Sequence, residues 1–345
     1  MDLSKSLNPN ATTVELARPF SLAKFFLQWE WMLVLIFVLI NVMNMNLSPY
    51  YLNFDNLRDA LTSFLDKAFI ALPMVFIIIL GEFDISVGST VALSSVVMAL
   101  AFQMGLPMPL AVILCLLVGT LCGLFNGLII VKFKELSAVI VTLATMIIYR
   151  GIAYILLEDQ AAGHFPSWFK VLSWGYVGGI PVILIAFVVM ALIFGWLLHK
   201  TAFGRRVYAI GNNVTAARFS GIRVDRIKVL IFTSAGLMAA VTALFLTSRM
   251  GSTRPNVASG YELEVITMVV LGGVSTSGGK GRMIGAVLAV FLIGYLRNGL
   301  GLINVPAQIL LIIIGLLLVV AVMVPNLQWN QKRALRHGEL KKEGK

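Results

Sequence analysis

Charge is what this sequence has least of. Asp, Glu, Lys and Arg supply 12% of its 345 residues, apolar side chains supply 59%, and the mean hydropathy is +0.92. A soluble domain is about 25% charged and about 45–50% apolar. So little polar surface does not clothe a water-soluble body of this size, and the composition is that of an integral membrane protein. The net charge of +11 would suit nucleic acid on a polar protein. Here the charges are too few to build a basic face, so no nucleic-acid partner is expected, and membrane topology accounts for the excess.

Histidine and cysteine are scarcer still. His164, His199 and His337 are far apart, and neither an H-E-x-x-H nor a G-x-S-x-G pattern occurs. No catalytic residue is assigned, and the chain is not expected to be an enzyme. Cys115 and Cys122 lie seven apart in one apolar run with no further cysteine to complete a ligand set. They read as packing residues, and no metal site is expected. A nucleotide loop is missing as well. The stretch LGGVSTSGGKG, Leu271 to Gly281, approaches G-x-x-x-x-G-K-[ST] but has Val274 where the opening glycine belongs and Gly281 where Ser or Thr would bind magnesium. Any ATP therefore binds another chain, and no cofactor is expected on this one. The N-terminus also lacks the compact basic start, short apolar core and small-residue cleavage site of a removable signal, so the first hydrophobic segment is expected to stay as an anchor.

Long apolar runs are what the sequence does have. Segments near 20 residues cross about 30 Å of hydrocarbon as helices, and about ten candidates can be marked: 29–47, 67–82, 86–104, 108–132, 136–157, 180–199, 229–248, 262–275, 283–301 and 306–325. The fold expected is an all-α integral membrane protein. It has a cytoplasmic N-terminal segment (1–28), a transmembrane domain (29–325) and a basic cytoplasmic tail (326–345). An even number of spans puts both ends on one side, and a tail carrying six Lys or Arg belongs inside. That orientation places 20 of the 27 Lys and Arg on the cytoplasmic side. Seven of them crowd the loop 200–228. Trp29, Trp31, Tyr50, Tyr51, Trp168, Trp174, Trp196 and Trp329 fall near span ends, where headgroup-level belts are expected.

Three stretches carry more than hydropathy. In KTAFGRRVYAIGNNVTAARFSGIRVDRIK, Phe203, Val207 and Ile210 recur at helical spacing opposite Arg205 and Arg206. Asn213 is placed to cap a helix over 214–220 and Gly221 to close it, so the loop between the sixth and seventh spans should be folded. Such a helix, exposed and basic, is suited to transmitting force from a partner. The second stretch, LGEFDISVGST, sets Glu82 and Asp84 between two apolar runs. Either they are exposed in a cytoplasmic turn with Ser86 capping the next helix, or the turn belongs to a gate or a partner interface. The third, Leu271 to Gly281, matches the second at leucine, glycine, serine and glycine, which suggests an internal duplication about a midplane pathway. Within the spans, Asn126, Thr142, Thr145, Arg150, Glu264, Thr267 and Asn298 need protein or water partners. Hydroxyls and amides suit a neutral polar solute such as a sugar, while helix-to-helix hydrogen bonding is the plainer alternative for each residue.

At these motifs the chain resembles a known family. KTAFGRRVYAIGNNVTAARFSGI is similar to the cytoplasmic loop of permease subunits in the ribose-type ABC sugar importers. GEFDISVGST resembles that family's G-G-I-D-L-S-V-G-S signature, and GYELEVITMVVLGGVSTSGGKG resembles its second signature, in the same order. Glu82 departs from the glycine common there, as it does in the rhamnose-type branch, while FQMGLPMPL and LCGLFNGLII also look like autoinducer-2 importer permeases. The resemblance runs from about Asn53 to Pro325.

The resemblance implies a bacterial inner-membrane, multi-pass permease that pairs with a second permease chain. ABC ATPase subunits sit beneath it and a solute-binding protein above, with ATP on the ATPase. It implies ATPase coupling through Thr201, Phe203, Gly204, Arg205, Arg206, Gly211, Asn212, Asn213, Ala216, Ala217, Arg218, Ser220 and Gly221. Glu82, Asp84, Ser86, Asn126, Thr142, Thr145, Glu262, Glu264 and Asn298 are the candidates for the translocation path or its gates. A stand-alone secondary transporter or channel is the alternative class. It would need no second chain for energy, and no buried ion-coupling cluster in the sequence favours it.

Overall fold

The structure is a computed structural model that describes residues 29–306 and 308–323. The expected cytoplasmic N-terminal segment, the basic tail and Trp329 lie outside the described residues. Among those residues the long helices are α1 (Trp29–Leu47), α2 (Phe54–Ile79), α3 (Val87–Gln103), α4 (Met108–Lys132) and α5 (Ala138–Leu157). A short turn of helix α6 (Val171–Trp174) and the helix α7 (Val182–Lys200) follow, then α8 (Ala202–Asn212) and α9 (Val214–Phe219). The chain continues with α10 (Val224–Met250), α11 (Tyr261–Leu271), α12 (Met283–Leu302) and α13 (Gln308–Met323).

Seven of these, α1, α2, α4, α5, α7, α10 and α12, are long and apolar enough to cross a membrane. The shorter α3, α11 and α13 occupy the third, eighth and tenth expected spans. Among the described residues, strand structure is confined to two pairs of two-residue strands. One joins β1 (Ala162–Gly163) to β4 (Ser252–Thr253), and the other is the hairpin β2 (Tyr176–Val177) with β3 (Ile180–Pro181). The first pair ties the chain leaving α5 to the chain leaving α10.

Helix α2 is the axis of the fold and packs against α7, α10, α11 and α12. From Phe64 through Ile79 every residue is buried, as expected of a helix that is apolar on every side but for the paired charges of Asp66 and Lys67. It begins at Phe54 rather than at the expected 67, because Asn53 accepts a capping hydrogen bond from Asp55 N at 2.9 Å and the charges of Asp66 and Lys67 are neutralised inside the fold. A second axis, α10, lies along α4. Gly119, Gly123 and Gly127 recur every four residues on α4 and meet Gly236, Phe232 and Val229. A Cβ on Gly236 would stand 2.1 Å from Gly119 O, so only glycine permits this approach. Close backbone contact of this kind is what holds helices together where lipid removes the hydrophobic drive.

Two expected belt residues do different work. Tyr51 is fully buried and donates to Asn41 Oδ1 at 2.8 Å. Trp29 donates its indole N–H to Leu271 O at 2.8 Å, fastening α1 to the end of α11. Trp31, Trp168, Trp174 and Trp196 are exposed, as belt residues should be.

Candidate functional site

Both glycine-rich breaks end their helices in the same way. Gly81 (φ +78°) donates to Ile78 O and Glu82 N to Ile77 O; Gly273 (φ +85°) donates to Val270 O and Val274 N to Val269 O. The conformational equivalent of Gly81 is thus Gly273, one place beyond the sequence match to Gly272. The position after the last helical turn requires positive φ, which glycine supplies, and that need overrides the alignment by letter.

The two breaks touch. Gly279 N donates to Ile79 O at 2.8 Å, and Gly278 packs at the same carbonyl. The end of α8 is wedged into this contact: a Cβ on Gly211 would lie 1.9 Å from Ile79 O and 2.6 Å from Gly279 N. Asn212 packs its side-chain oxygen against Gly279 and donates its amide to Tyr208 O at 2.8 Å. Tyr208 in turn donates its hydroxyl to Gly281 O at 2.7 Å, and burial pushes that hydroxyl above the ordinary tyrosine pKa. The loop and both breaks therefore meet at one point.

The loop is built as the sequence reading expected. Thr201 Oγ1 accepts from Gly204 N to begin α8, and Gly204 is forced by the Leu198 carbonyl, which a Cβ would meet at 1.8 Å. Val207 and Ile210 are fully buried, Phe203 packs on Phe76, and Arg205 and Arg206 face outward. Asn213 accepts from Ala216 N at 2.9 Å, and Gly221 (φ +79°) closes α9 with a bond to Arg218 O. Ala217 is buried beneath, while Ala216 is exposed and Ser220 donates back to Ala216 O at 3.0 Å. Arg218 pairs with Asp225 at 3.0 Å, and Phe219 projects almost completely exposed. Exposed phenylalanine beside exposed arginine is the composition of an interface anchor.

The turn after α2 is not the exposed cap that was one of its two expected forms. Asp84 and Ser86 are buried, and Glu82 is mostly buried and paired with Lys228 of α10. Ser86 makes no side-chain cap bond to α3, because its hydroxyl is spent elsewhere. Asp84 Oδ1 accepts from Ser86 N at 2.9 Å and from its hydroxyl at 2.7 Å. Asn126 of α4 donates to that hydroxyl at 2.8 Å, and Tyr149 of α5 donates to Asn126 Oδ1 at 3.0 Å. Burial raises the Asp84 pKa to about 6, against the opposing Ser86 hydrogen bonds. This chain of polar groups stitches α3, α4 and α5 to the first break.

A second polar cluster holds the other half. Asp66 pairs with Arg249 at 2.8 Å, while Glu264 accepts from Lys67 at 2.7 Å and from Arg297 at 3.1 Å. The cluster joins α2, α10, α11 and α12. Of its members sequence reading had singled out Glu264 alone. The available signal was the adjacent acid and base, Asp66 and Lys67, inside an otherwise apolar helix, since intramembrane charges are retained only when paired.

The remaining candidates lie on α5, α11 and α12. Thr142 and Thr145 donate to carbonyls of their own helix, at Ala138 and Val141. Asn298 accepts from Asn56 at 3.4 Å. Glu262 accepts from Gly260 N at 3.2 Å, and its other oxygen lies against Gly88. Arg150 clamps the loop ahead of α11 through Pro255 O and Val257 O at 2.6 and 2.7 Å.

With this geometry the chain can be set beside known proteins. The family model described as branched-chain amino acid transport system / permease component matches residues 56–322. The chain is 40% identical over 291 residues to the ribose import permease protein RbsC of Bacillus subtilis (strain 168), covering 84% of this chain and 90% of that one. It is 38% identical over 302 residues to the autoinducer 2 import system permease protein LsrD of Escherichia coli (strain K12), covering 86% and 91%. No solved structure matches the chain significantly.

Proposed function

Since the chain belongs to the family described as branched-chain amino acid transport system / permease component, we propose that it is the membrane-spanning permease subunit of an ATP-driven ABC importer for a small sugar. The permease class and the kinship with ribose and autoinducer-2 import systems rest on the family match and on relatives near 40% identity. The ATPase partnership, the ten-span topology, the cytoplasmic termini and the solute are the further steps proposed.

One observation carries the coupling mechanism: the meeting of Gly211, Ile79 and Gly279. A partner gripping α9 through Phe219 and Arg218 would move α8 as a lever. The end of α8 that leads directly into α9 through Asn213 is wedged, backbone against backbone, between the two breaks that terminate α2 and α11. A displacement there reaches α2, the axis of the fold, without any soft side chain in between, and packed interfaces switch rather than stretch. Energy from ATP bound elsewhere would so be turned into movement of the helices around the pore. In this reading the transmembrane domain runs from 29 to 325 with the coupling loop 200–228. Two such chains, identical or sister, form the pore, a solute-binding protein docks above, and the solute is a ribose- or rhamnose-like monosaccharide. Kinship with the autoinducer 2 permease favours autoinducer-2 as the second solute.

Co-purification of the permease with its ATPase from a native operon tests the reading. Gly221→Pro breaks a +79° turn that proline does not adopt; it should abolish ATPase capture while membrane insertion persists. Retained capture would place docking elsewhere. Uptake by the isolated chain in liposomes under an ion gradient alone would make it a secondary transporter instead.

A further inference from the structure

Between α7 and α12 the fold leaves a groove of about 660 Å³, within the range of about 300–1,000 Å³ typical of ligand sites. One end is closed where Phe187 meets Phe291 edge to face, with centroids 6.1 Å apart. At the other end His199 Nε2 accepts from Met283 N at 3.2 Å. Between these two contacts Gly195 has no side chain, and a Cβ there would come only within 3.7 Å of Met283. The helices are thus pinned at both ends and hollow in the middle.

The walls are apolar, with Leu192 from α7 and Val287 from α12 among them, but the mouth is basic. Lys200 is exposed there, and Arg282 is 59% exposed although it pairs with Glu30 at 3.1 Å. Trp196, also exposed, stands one turn from Lys200. From Phe187 to Lys200 the helix rises about 20 Å at about 1.5 Å per residue. That exceeds one leaflet of hydrocarbon, half of about 30 Å. The groove therefore has the depth of an acyl chain and carries positive charge only where a headgroup would sit.

We propose that this groove binds one anionic phospholipid, its acyl chain lying along Gly195 and its phosphate held by Lys200 and Arg282. Two cations at the rim choose charge, because an ammonium and a guanidinium both donate to phosphate oxygens. The apolar floor binds any chain of suitable length. The leaflet, cytoplasmic, rests on the proposed orientation; the chemistry of the groove does not depend on it or on the solute.

Native mass spectrometry of the delipidated permease in detergent tests the site, with dioleoylphosphatidylglycerol and dioleoylphosphatidylcholine as probes and inorganic phosphate as a third arm. The wild-type chain should retain phosphatidylglycerol over phosphatidylcholine. Lys200→Gln should cut that preference about fivefold, near the effect of about 1 kcal/mol for each basic residue beside an anionic surface. Adding Arg282→Gln should abolish it with phosphatidylcholine binding unchanged. Gly195→Leu should weaken both lipids. Elution of each variant as a single symmetric species establishes folding, and Lys200→Gln, which leaves the Glu30 pair intact, decides the matter if the double variant aggregates. Equal retention of the two lipids, a preference that survives Lys200→Gln, or equal protection by free phosphate overturns the proposal. None of these outcomes touches ATPase capture, so this site and the proposed function fail separately.

Discussion

Lys67 Nζ donates to Glu264 Oε1 at 2.7 Å, and the two side chains are only 3% and 7% exposed. The partners are 197 residues apart in sequence and join the axial helix α2 to α11, whose other end is the second glycine-rich break. Arg297 supports Glu264 from α12, and Asp66 with Arg249 stands alongside.

Removing one member of such a pair strands a buried charge, which costs about 3–5 kcal/mol. Lys67→Met should lower the stability of the detergent-solubilised protein by about that amount. Combining it with Glu264→Gln should recover part of the loss, since the buried carboxylate is then absent while Arg297, which loses its partner, is 42% exposed and remains open to solvent. Thermal unfolding of the wild type, both single variants and the double variant forms the cycle. A Lys67→Met protein as stable as wild type would remove the cluster from any structural role.

The wedge at Gly211 makes a separate prediction about coupling. Gly211→Ala forces a methyl group to within 1.9 Å of Ile79 O unless α8 withdraws. With α9 left intact, the variant should still capture the proposed ATPase partner but lose most transport in reconstituted liposomes. Parallel measurement of ATPase capture and solute uptake separates docking from transmission. Wild-type uptake would show that the contact transmits nothing.

Asp84 predicts a dependence on pH. Burial raises its folded-state pKa to about 6 from 3.8, so the folded protein holds a proton more tightly than the unfolded chain does. Stability from this group is fully present below pH 3.8 and falls as the pH rises towards 6, by about 3 kcal/mol on linkage. Asp84→Asn keeps an oxygen for Ser86 but has no proton to lose. The difference in unfolding temperature between variant and wild type should grow in the variant's favour from pH 4.5 to pH 7.5. A difference that stays constant across that range would mean Asp84 is not protonated on folding.

At the α4–α10 contact, Gly236→Ala puts a methyl group 2.1 Å from Gly119 O. Overpacking of a rigid interface typically costs about 1–3 kcal/mol. A lowered unfolding temperature with unchanged helix content is expected by circular dichroism. An unaffected unfolding temperature would mean the two helices are less closely packed than the glycine contact requires.

Much of the loop 200–228 was readable because its signals are local. Asn213 and Gly221 cap helices through bonds three residues away, and Val207 and Ile210 are buried at the spacing the sequence displays. The start of α2 was misplaced for the same reason in reverse. Asp66 and Lys67 look like the end of an apolar run until Arg249 and Glu264, nearly two hundred residues away, neutralise them. Ser86 looked like a cap and became the bridge between Asp84 and Asn126, a role no window around Ser86 discloses.

The sequence by itself determined the membrane class, the rough place of the apolar segments, the capped helix of the central loop and the family signatures. These follow from hydropathy, helical period and cap chemistry, all of which act within a few residues. Only the tertiary structure decided that the two glycine-rich breaks meet at Ile79 and Gly279 with Gly211 wedged between them, and that scattered charges close into one buried cluster. Such contacts join segments far apart in the chain. They depend on how closely backbones approach, which glycine permits but no local pattern specifies.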